Sequence, residues 1–480
     1  MVRDKKETIS SNVNNNQKAF KAGVWYTISN IAVRAIGIIT TPIYTRLLST
    51  TDYGIASTFT SWYSLLSIFF SLDLTMSVGR AKQDYPREFR GYIGSIQLLS
   101  GIFSVVCIAI ALIFIQPISS LMDLNYTALF VMAVYLLFSS AISFMQARYR
   151  YEYQYKQNIF ILIYTTLSTA VVSIVLILLF QNDRWLGRIL GASLPTVILG
   201  VYYWCNGVRK KEIRVNTDYW KYALGISLPI LLHTLSINIL SQSDRVLITK
   251  LIGADATAIY TVAYQYALLI NIILNSVNQA WQPWFHDNLF VGNRSLIRDN
   301  VKPLTILYAF ITVGCVCFAP EAISILGPAE YKSGIWAVAP IAIGVFFQAL
   351  YSNYINIELH LKKTKYASYG TVIAAITNIV LNVIFIPIYG FIAAAYTTLF
   401  SYILLWVIHL FITRCILKVR LYSESFFLLI AFIICVICAI FMFLFDYLLI
   451  RFLIMIMIGA AFLFYNRKFL ISIYRKKKMK

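Results

Sequence analysis

Fourteen apolar stretches, each long enough to cross the hydrocarbon core of a bilayer as a helix, alternate with short polar breaks along this chain. They run over residues 22–48, 53–79, 92–115, 125–147, 158–180, 186–206, 221–244, 256–280, 303–326, 334–359, 366–388, 390–413, 424–445 and 447–466. Backbone polar groups in hydrocarbon must be satisfied within each segment, so the pattern predicts an all-α polytopic membrane protein. The basic residues test the count. Taken in alternate breaks, 33 of the 41 Lys and Arg fall on one side, in clusters such as Arg80–Arg90, Arg209–Lys221 and Arg467–Lys480. Seven fall on the other side: Arg46, Arg184, Arg188, Arg245, Lys250, Lys332 and Arg451. A shifted or missing helix would destroy this asymmetry, which predicts both termini on the cytoplasmic side.

Composition narrows the function classes. A chain that is 59% hydrophobic and only 13% charged does not belong with soluble globular proteins. A net charge of +21 would suggest nucleic acid in a soluble protein, but here the charge sits in loop-sized clusters that topology explains, and no nucleic-acid partner is expected. The seven cysteines lie in or at the ends of apolar stretches; Cys435 and Cys438 have CxxC spacing but no second pair or His cluster, so they are expected to act as small hydrophobes, without metal or disulfide. Residues 1–21 are polar and lack a cleavable signal pattern, so the first helix is expected to direct insertion. The sequence contains no GxxxxGK[ST], so neither ATP hydrolysis nor a cofactor is expected.

Polar faces on five spans supply the candidate site. The first span carries Thr27, Asn30, Arg34, Gly37 and Thr41 on one stripe, with Arg34 near its middle, where a lone charge costs roughly 3 kcal/mol or more unless it faces protein or a water-filled cavity. The seventh carries Thr234, Asn238, Ser241 and Arg245, flanked by His233 and Asp244; the eighth carries Asn271, Asn275, Asn278 and Gln282. On the second, Asp73 and Arg80 are seven residues apart and are expected on one face; the tenth gathers Asn353, Asn356, Glu358 and His360. A Ser, Thr or Asn stripe ordinarily serves interhelical hydrogen bonding, worth about 0.6 kcal/mol per contact. Asp244 and Arg245 can be read as an interfacial pair, and His409 as a packed helix-end residue. The cavity candidates are therefore Arg34, Asn30, Asp73, Arg80, Asn238, Asp244, Arg245, Asn271, Asn275 and Asn278. Asp73, Glu358 and His360 are candidates for binding a coupling proton.

An internal repeat is visible at an offset of 204, which places Arg46–Ala56 over Lys250–Tyr260 and Arg34 over Asn238. An even number of spans separates the two copies, so the halves share orientation. The expected organisation is a cytoplasmic segment over 1–21, a six-helix lobe over 22–206, a linker over 207–220, a second six-helix lobe over 221–413, two further helices over 414–466 and a basic tail over 467–480.

RLLSTTDYGIAS from Arg46, LDLTMSVGRA from Leu72, SDRVLITKLIGADATAIYTVAY from Ser243 and NQAWQPWF from Asn278 carry a family likeness. With the span count and the repeat, the chain resembles the multidrug/oligosaccharidyl-lipid/polysaccharide exporter superfamily, and within it the polysaccharide biosynthesis proteins that flip lipid-linked repeat units in O-antigen and capsule pathways. It departs from that pattern at Leu72 and Ala258, where glycine is usual. The resemblance implies two lobes around a central cavity, alternating access, an undecaprenyl-pyrophosphate-linked oligosaccharide as substrate, and a place in the bacterial cytoplasmic membrane beside a polymerase and chain-length regulator. A drug/cation antiporter of the same superfamily would want an acidic cavity, and a polymerase or glycosyltransferase would want a large extramembrane loop, which the short outer breaks do not provide.

Overall fold

The computed structural model describes Trp25, Ser29 and residues 31–478, except for the side chains of Ala280, Thr364 and residues 465–478. Its regular elements, among the described residues, are all helical. In the first half, α1 (31–47) gives way at Ser49, whose hydroxyl accepts the Asp52 amide and caps α2 (Thr50–Phe70). A one-turn 3₁₀ segment leads to α3 (Val78–Asp84), followed by α4 (Phe89–Ile113), α5 (Ile115–Met122), α6 (Tyr126–Tyr151), α7 (Tyr155–Leu179) and α8 (Arg184–Arg209). The second half has α9 (Thr217–Leu251), α10 (Ala254–Ala267), α11 (Ile270–Val291), α12 (Arg294–Cys317), α13 (Ala319–Leu326), α14 (Ile335–His360), α15 (Thr364–Tyr389) and α16 (Phe391–Phe411). Then come α17 (Glu424–Phe443) and α18 (Leu448–Lys478), so that the basic tail continues as helix.

The order of elements repeats. A long helix, a bent pair, a long helix, an eight-residue helix and three long helices make up α1–α8, and the same series recurs in α9–α16. The offset of 204 holds at individual termini: α1 ends at residue 47 and α9 at Leu251, α2 starts at Thr50 and α10 at Ala254, α5 starts at Ile115 and α13 at Ala319. Among the described residues, ten helices are long and apolar enough to cross a membrane, or twelve if each bent pair is one span. Of the fourteen expected spans, the first is described only from residue 31, and the last contains an apolar helix over Leu448–Phe464 that is shorter than the others. The protein is a multi-pass membrane protein.

The second span is not the single straight helix expected over 53–79. Leu72 and Asp73 adopt left-handed φ values of 50° and 48°, which end α2, and the chain bends by 49°. Ser100 and Ser104 of α4 donate to the Phe70 carbonyl at 3.2 and 3.4 Å, compensating for the break where no water is at hand. Its equivalent in the second half bends by 41° between α10 and α11.

Two compact units, Met1–Gln242 and Ser243–Lys480, meet within α9. The first turns of α9 belong to the first unit for clear reasons: Trp220 donates to the Ser95 carbonyl at 3.0 Å, Tyr222 to Asp84 at 2.5 Å, and Tyr219 bonds to Glu88. The preceding connection is fastened too, since Arg148 Nη1 lies 2.9 Å from Glu212 and its Nε 3.3 Å from Glu152. Also within the first unit, α7 and α8 touch backbone to backbone. A Cβ on Gly191 would stand 2.2 Å from Ser173 Cα, so only glycine permits this approach.

Candidate functional site

The close contact of α7 and α8 sets the geometry of a cavity of about 430 Å³ inside the first unit. Arg188 lies in the second turn of α8, between Gly187 and Gly191, and therefore enters the protein on the glycine-bearing side of its helix. Its Nη1 donates to Ser173 Oγ at 3.1 Å and its guanidinium lies 4.3 Å from the centre of the Tyr44 ring. These contacts orient the cation without neutralising it. In the same lining, Tyr63 of α2 and Tyr135 of α6 stack with centroids 3.8 Å apart and planes 2° from parallel. Ser139 is a hydrogen-bond partner of Tyr63, and Thr196 of Tyr135.

The rest of the wall is mainly hydroxyl-bearing. Thr165, Thr166 and Thr169 come from α7, Ser143 and Gln146 from α6, and Thr40 from α1. Thr165 and Thr166 donate back to the Ile161 and Leu162 carbonyls at 2.8 and 2.7 Å, which leaves hydroxyl lone pairs as acceptors. Among the described residues, the lining contains one arginine and no Asp, Glu, Lys or His. A space of this size, with many hydroxyls and one positive charge beside the aliphatic Ile36, Ile142 and Ala170, suits a polyhydroxylated or anionic ligand and disfavours a cation.

The sequence candidates of the first unit are distributed differently from expectation. Asn30 lies outside the described residues. Arg34 is exposed on α1 and outside the cavity lining, although Ile36, Gly37, Thr40 and Tyr44 of the same helix belong to that lining. Asp73 is buried at the break after α2, with Thr75 Oγ1 at 3.4 Å from its carboxylate and Thr234 of α9 as a further partner. Arg80 is a correction: with the helix broken between them, it does not share a face with Asp73, and its exposed side chain pairs with Asp84 at 3.5 Å. Asn238 is half-buried and donates to the Thr234 carbonyl of its own helix at 2.9 Å.

In the second unit the acidic candidates are buried among helix partners. Asp244, fully buried on α9, accepts from Asn382 of α15 at 2.7 Å, from Thr398 of α16 at 2.7 Å and from Tyr260 of α10 at 2.5 Å. Asn378 extends the cluster, receiving Ser243 at 2.9 Å and donating to Thr398 at 3.1 Å. Arg245 turns its guanidinium over the Tyr264 ring at 4.3 Å, so the two neighbours face different partners. Asn275 is exposed, while Asn271 and Asn278 are half-buried. Glu358 and His360, adjacent on α14, also diverge. Glu358 Oε1 lies 2.7 Å from His409 Nδ1 with both side chains fully buried; His360 Nδ1 lies 3.2 Å from His286 Nδ1 of α11, with the rings stacked.

The cavity's cation was thus Arg188, which the loop count had assigned to an outer break. The signal was present in the sequence as Gly187-Arg188-Ile189-Leu190-Gly191: a small-xxx-small pair marks a face packed on another helix, and an arginine beside it is not in solvent. His409, expected as a packed helix-end residue, is fully buried near the end of α16, and its partner, Glu358, is 51 residues away in the sequence.

Comparison with known proteins agrees with this architecture. The profile of the family described as "Polysaccharide biosynthesis protein" matches residues 19–289. A protein of the Lsg locus of Haemophilus influenzae is 23% identical over 277 residues, covering 57% of this chain and 67% of its own length. An uncharacterised membrane protein of Methanocaldococcus jannaschii is 21% identical over 450 residues, 86% of this chain and 87% of its own. Among solved structures, lipid II flippase MurJ in an inward closed conformation superposes with a TM-score of 0.73 at 15% identity, covering 93% of this chain and 100% of that one. An inward-facing multidrug resistance MATE family transporter of the MOP superfamily gives 0.64 at 12% identity, with 82% and 98% covered. At these identities the likeness establishes the fold.

Proposed function

Because the chain belongs to the polysaccharide biosynthesis protein family, we propose that it is a transporter that moves lipid-linked oligosaccharide repeat units from the inner to the outer leaflet of the bacterial cytoplasmic membrane. The repeat units, carried on undecaprenyl pyrophosphate, would feed O-antigen, capsule or exopolysaccharide assembly by a polymerase and its chain-length regulator. The observation that carries this reading is the first-unit cavity, lined by hydroxyls, paired tyrosines and one arginine, with no carboxylate. Glycans offer hydroxyl donors and acceptors at every ring, which such a wall can match one for one. The polyprenyl tail needs no protein site, because lipid already solvates it.

The similarity to structures of a lipid II flippase supports a lipid-linked cargo, and alternating access between two repeats is the movement that such an architecture permits. Arg34, exposed on α1, remains the proposed group for the pyrophosphate. For proton coupling, Asp73, Glu358 and His360 are proposed, Glu358 being paired with His409 and His360 with His286. A cation antiporter is disfavoured by the same cavity, whose only ionised side chain repels its cargo.

Deletion of the gene in its host, with complementation, tests this reading. Loss of the chain should abolish surface polysaccharide and accumulate repeat units facing the cytoplasm. Normal surface polysaccharide in the deletion strain would refute it.

A further inference from the structure

We infer that Arg188 makes this chain selective for a repeat unit bearing an acidic sugar, its guanidinium receiving the sugar carboxylate; the inference rests on the transport reading above. The argument is one of charge and shape. Arg188 is half-buried in a cavity wall, its described contacts are a hydroxyl and an aromatic face, and no carboxylate among the described residues forms an ion pair with it. A cation within a membrane-spanning bundle faces a partner or a cavity, and one that faces a cavity without an acidic partner is available to the counter-charge of a ligand.

The ligand's charge follows from the count. One guanidinium balances one carboxylate, for which its planar fork gives two parallel hydrogen bonds. Pyrophosphate carries more than one negative charge, and the lining has neither a second cation nor an acidic residue that would hold a bridging metal ion. The surroundings suit a pyranose. Tyr63 and Tyr135 present a stacked aromatic pair, and Thr165 and Thr166 present acceptor lone pairs for ring hydroxyls. Aromatic rings, hydroxyls and a single cation in one lining read as a site for one acidic sugar within a longer glycan.

The test uses the purified full-length protein in lipid nanodiscs and saturation-transfer NMR with D-glucuronate, D-glucose and inorganic pyrophosphate. Glucuronate should bind the wild type more tightly than glucose. Arg188→Gln should weaken glucuronate at least tenfold and leave glucose unchanged. Arg188→Lys, which keeps the charge and loses the fork, should fall between them, and it serves as the readout if the glutamine variant does not purify as a monodisperse species. Equal binding of glucuronate and glucose, or glucuronate binding that ignores both substitutions, would overturn the inference while leaving the glycan cavity standing. Pyrophosphate that binds more tightly than glucuronate and depends on Arg188 would overturn it in favour of the lipid headgroup. Failure of both sugars to bind would remove the inference and count against the cavity as a glycan site as well.

Discussion

The two halves share an order of helices yet differ in where some of their ionisable groups are placed. In the first unit a single arginine faces a cavity with hydroxyls around it and no acid in the lining. In the second, Asp244 and Glu358 are fully buried and held by side chains of neighbouring helices. Polar groups left open to a space are available to a ligand; polar groups consumed by one another hold helices together.

Substitutions in the two halves should therefore separate stability from transport. Glu358→Leu should have the largest effect, about 4 kcal/mol, because it strands His409 in the interior without a partner. Thermal unfolding in detergent would show it as a drop in midpoint, and an unchanged midpoint would mean that the buried pair does not hold α14 to α16. Next comes Gly191→Leu, at about 3 kcal/mol, because its side chain would overlap the α7 backbone at Ser173. That variant should also lose any ligand bound at Arg188, since the α7–α8 contact sets the arginine. Thr398→Val should cost about 1.2 kcal/mol, since it removes two interhelical hydrogen bonds, one donated to Asp244 and one accepted from Asn378. Thr166→Val should change stability by less than about 0.5 kcal/mol and still reduce transport, because the hydroxyl bonds within its own helix and its other face lines the cavity. A cavity substitution that lowers the midpoint as much as Glu358→Leu would erase the distinction between the halves.

The smallest effect concerns α18. Burial works against the Glu321 charge, but the Arg451 guanidinium, 2.6 Å away, outweighs it and holds the carboxyl below the usual glutamate range. A depressed folded-state value means that this pair contributes fully at neutral pH and is lost as pH falls through that value. The thermal midpoint should decline on acidification, and Glu321→Gln should remove that part of the decline. An identical pH profile in the variant would show that the pair does not anchor α18.

Much of the architecture was legible in the sequence because a bilayer imposes a one-dimensional rule: each span must be long, apolar and flanked by charges of predictable sign. The offset of 204 survives to individual helix ends for the same reason, since loop lengths fix where helices can start. The break at Leu72–Asp73 was not legible, because the groups that make it tolerable, Ser100 and Ser104, lie on another helix. Arg80 was misplaced as a consequence. Arg34 and Arg188 show the limit most clearly. Both look like arginines in apolar surroundings, and depth along the span favoured Arg34; packing decides which one faces the cavity, and packing is signalled by the glycines on either side of Arg188.

Transport is the central claim, and a reconstituted assay tests it most directly. Purified protein is placed in liposomes carrying an undecaprenyl-pyrophosphate-linked oligosaccharide in the inner leaflet, and the fraction accessible to an external glycan-cleaving enzyme is followed in time. Accessibility should rise with the wild type, rise more slowly with Thr166→Val, and stay at the protein-free level with Arg34→Ala. Wild-type liposomes that remain at the protein-free level would contradict the claim.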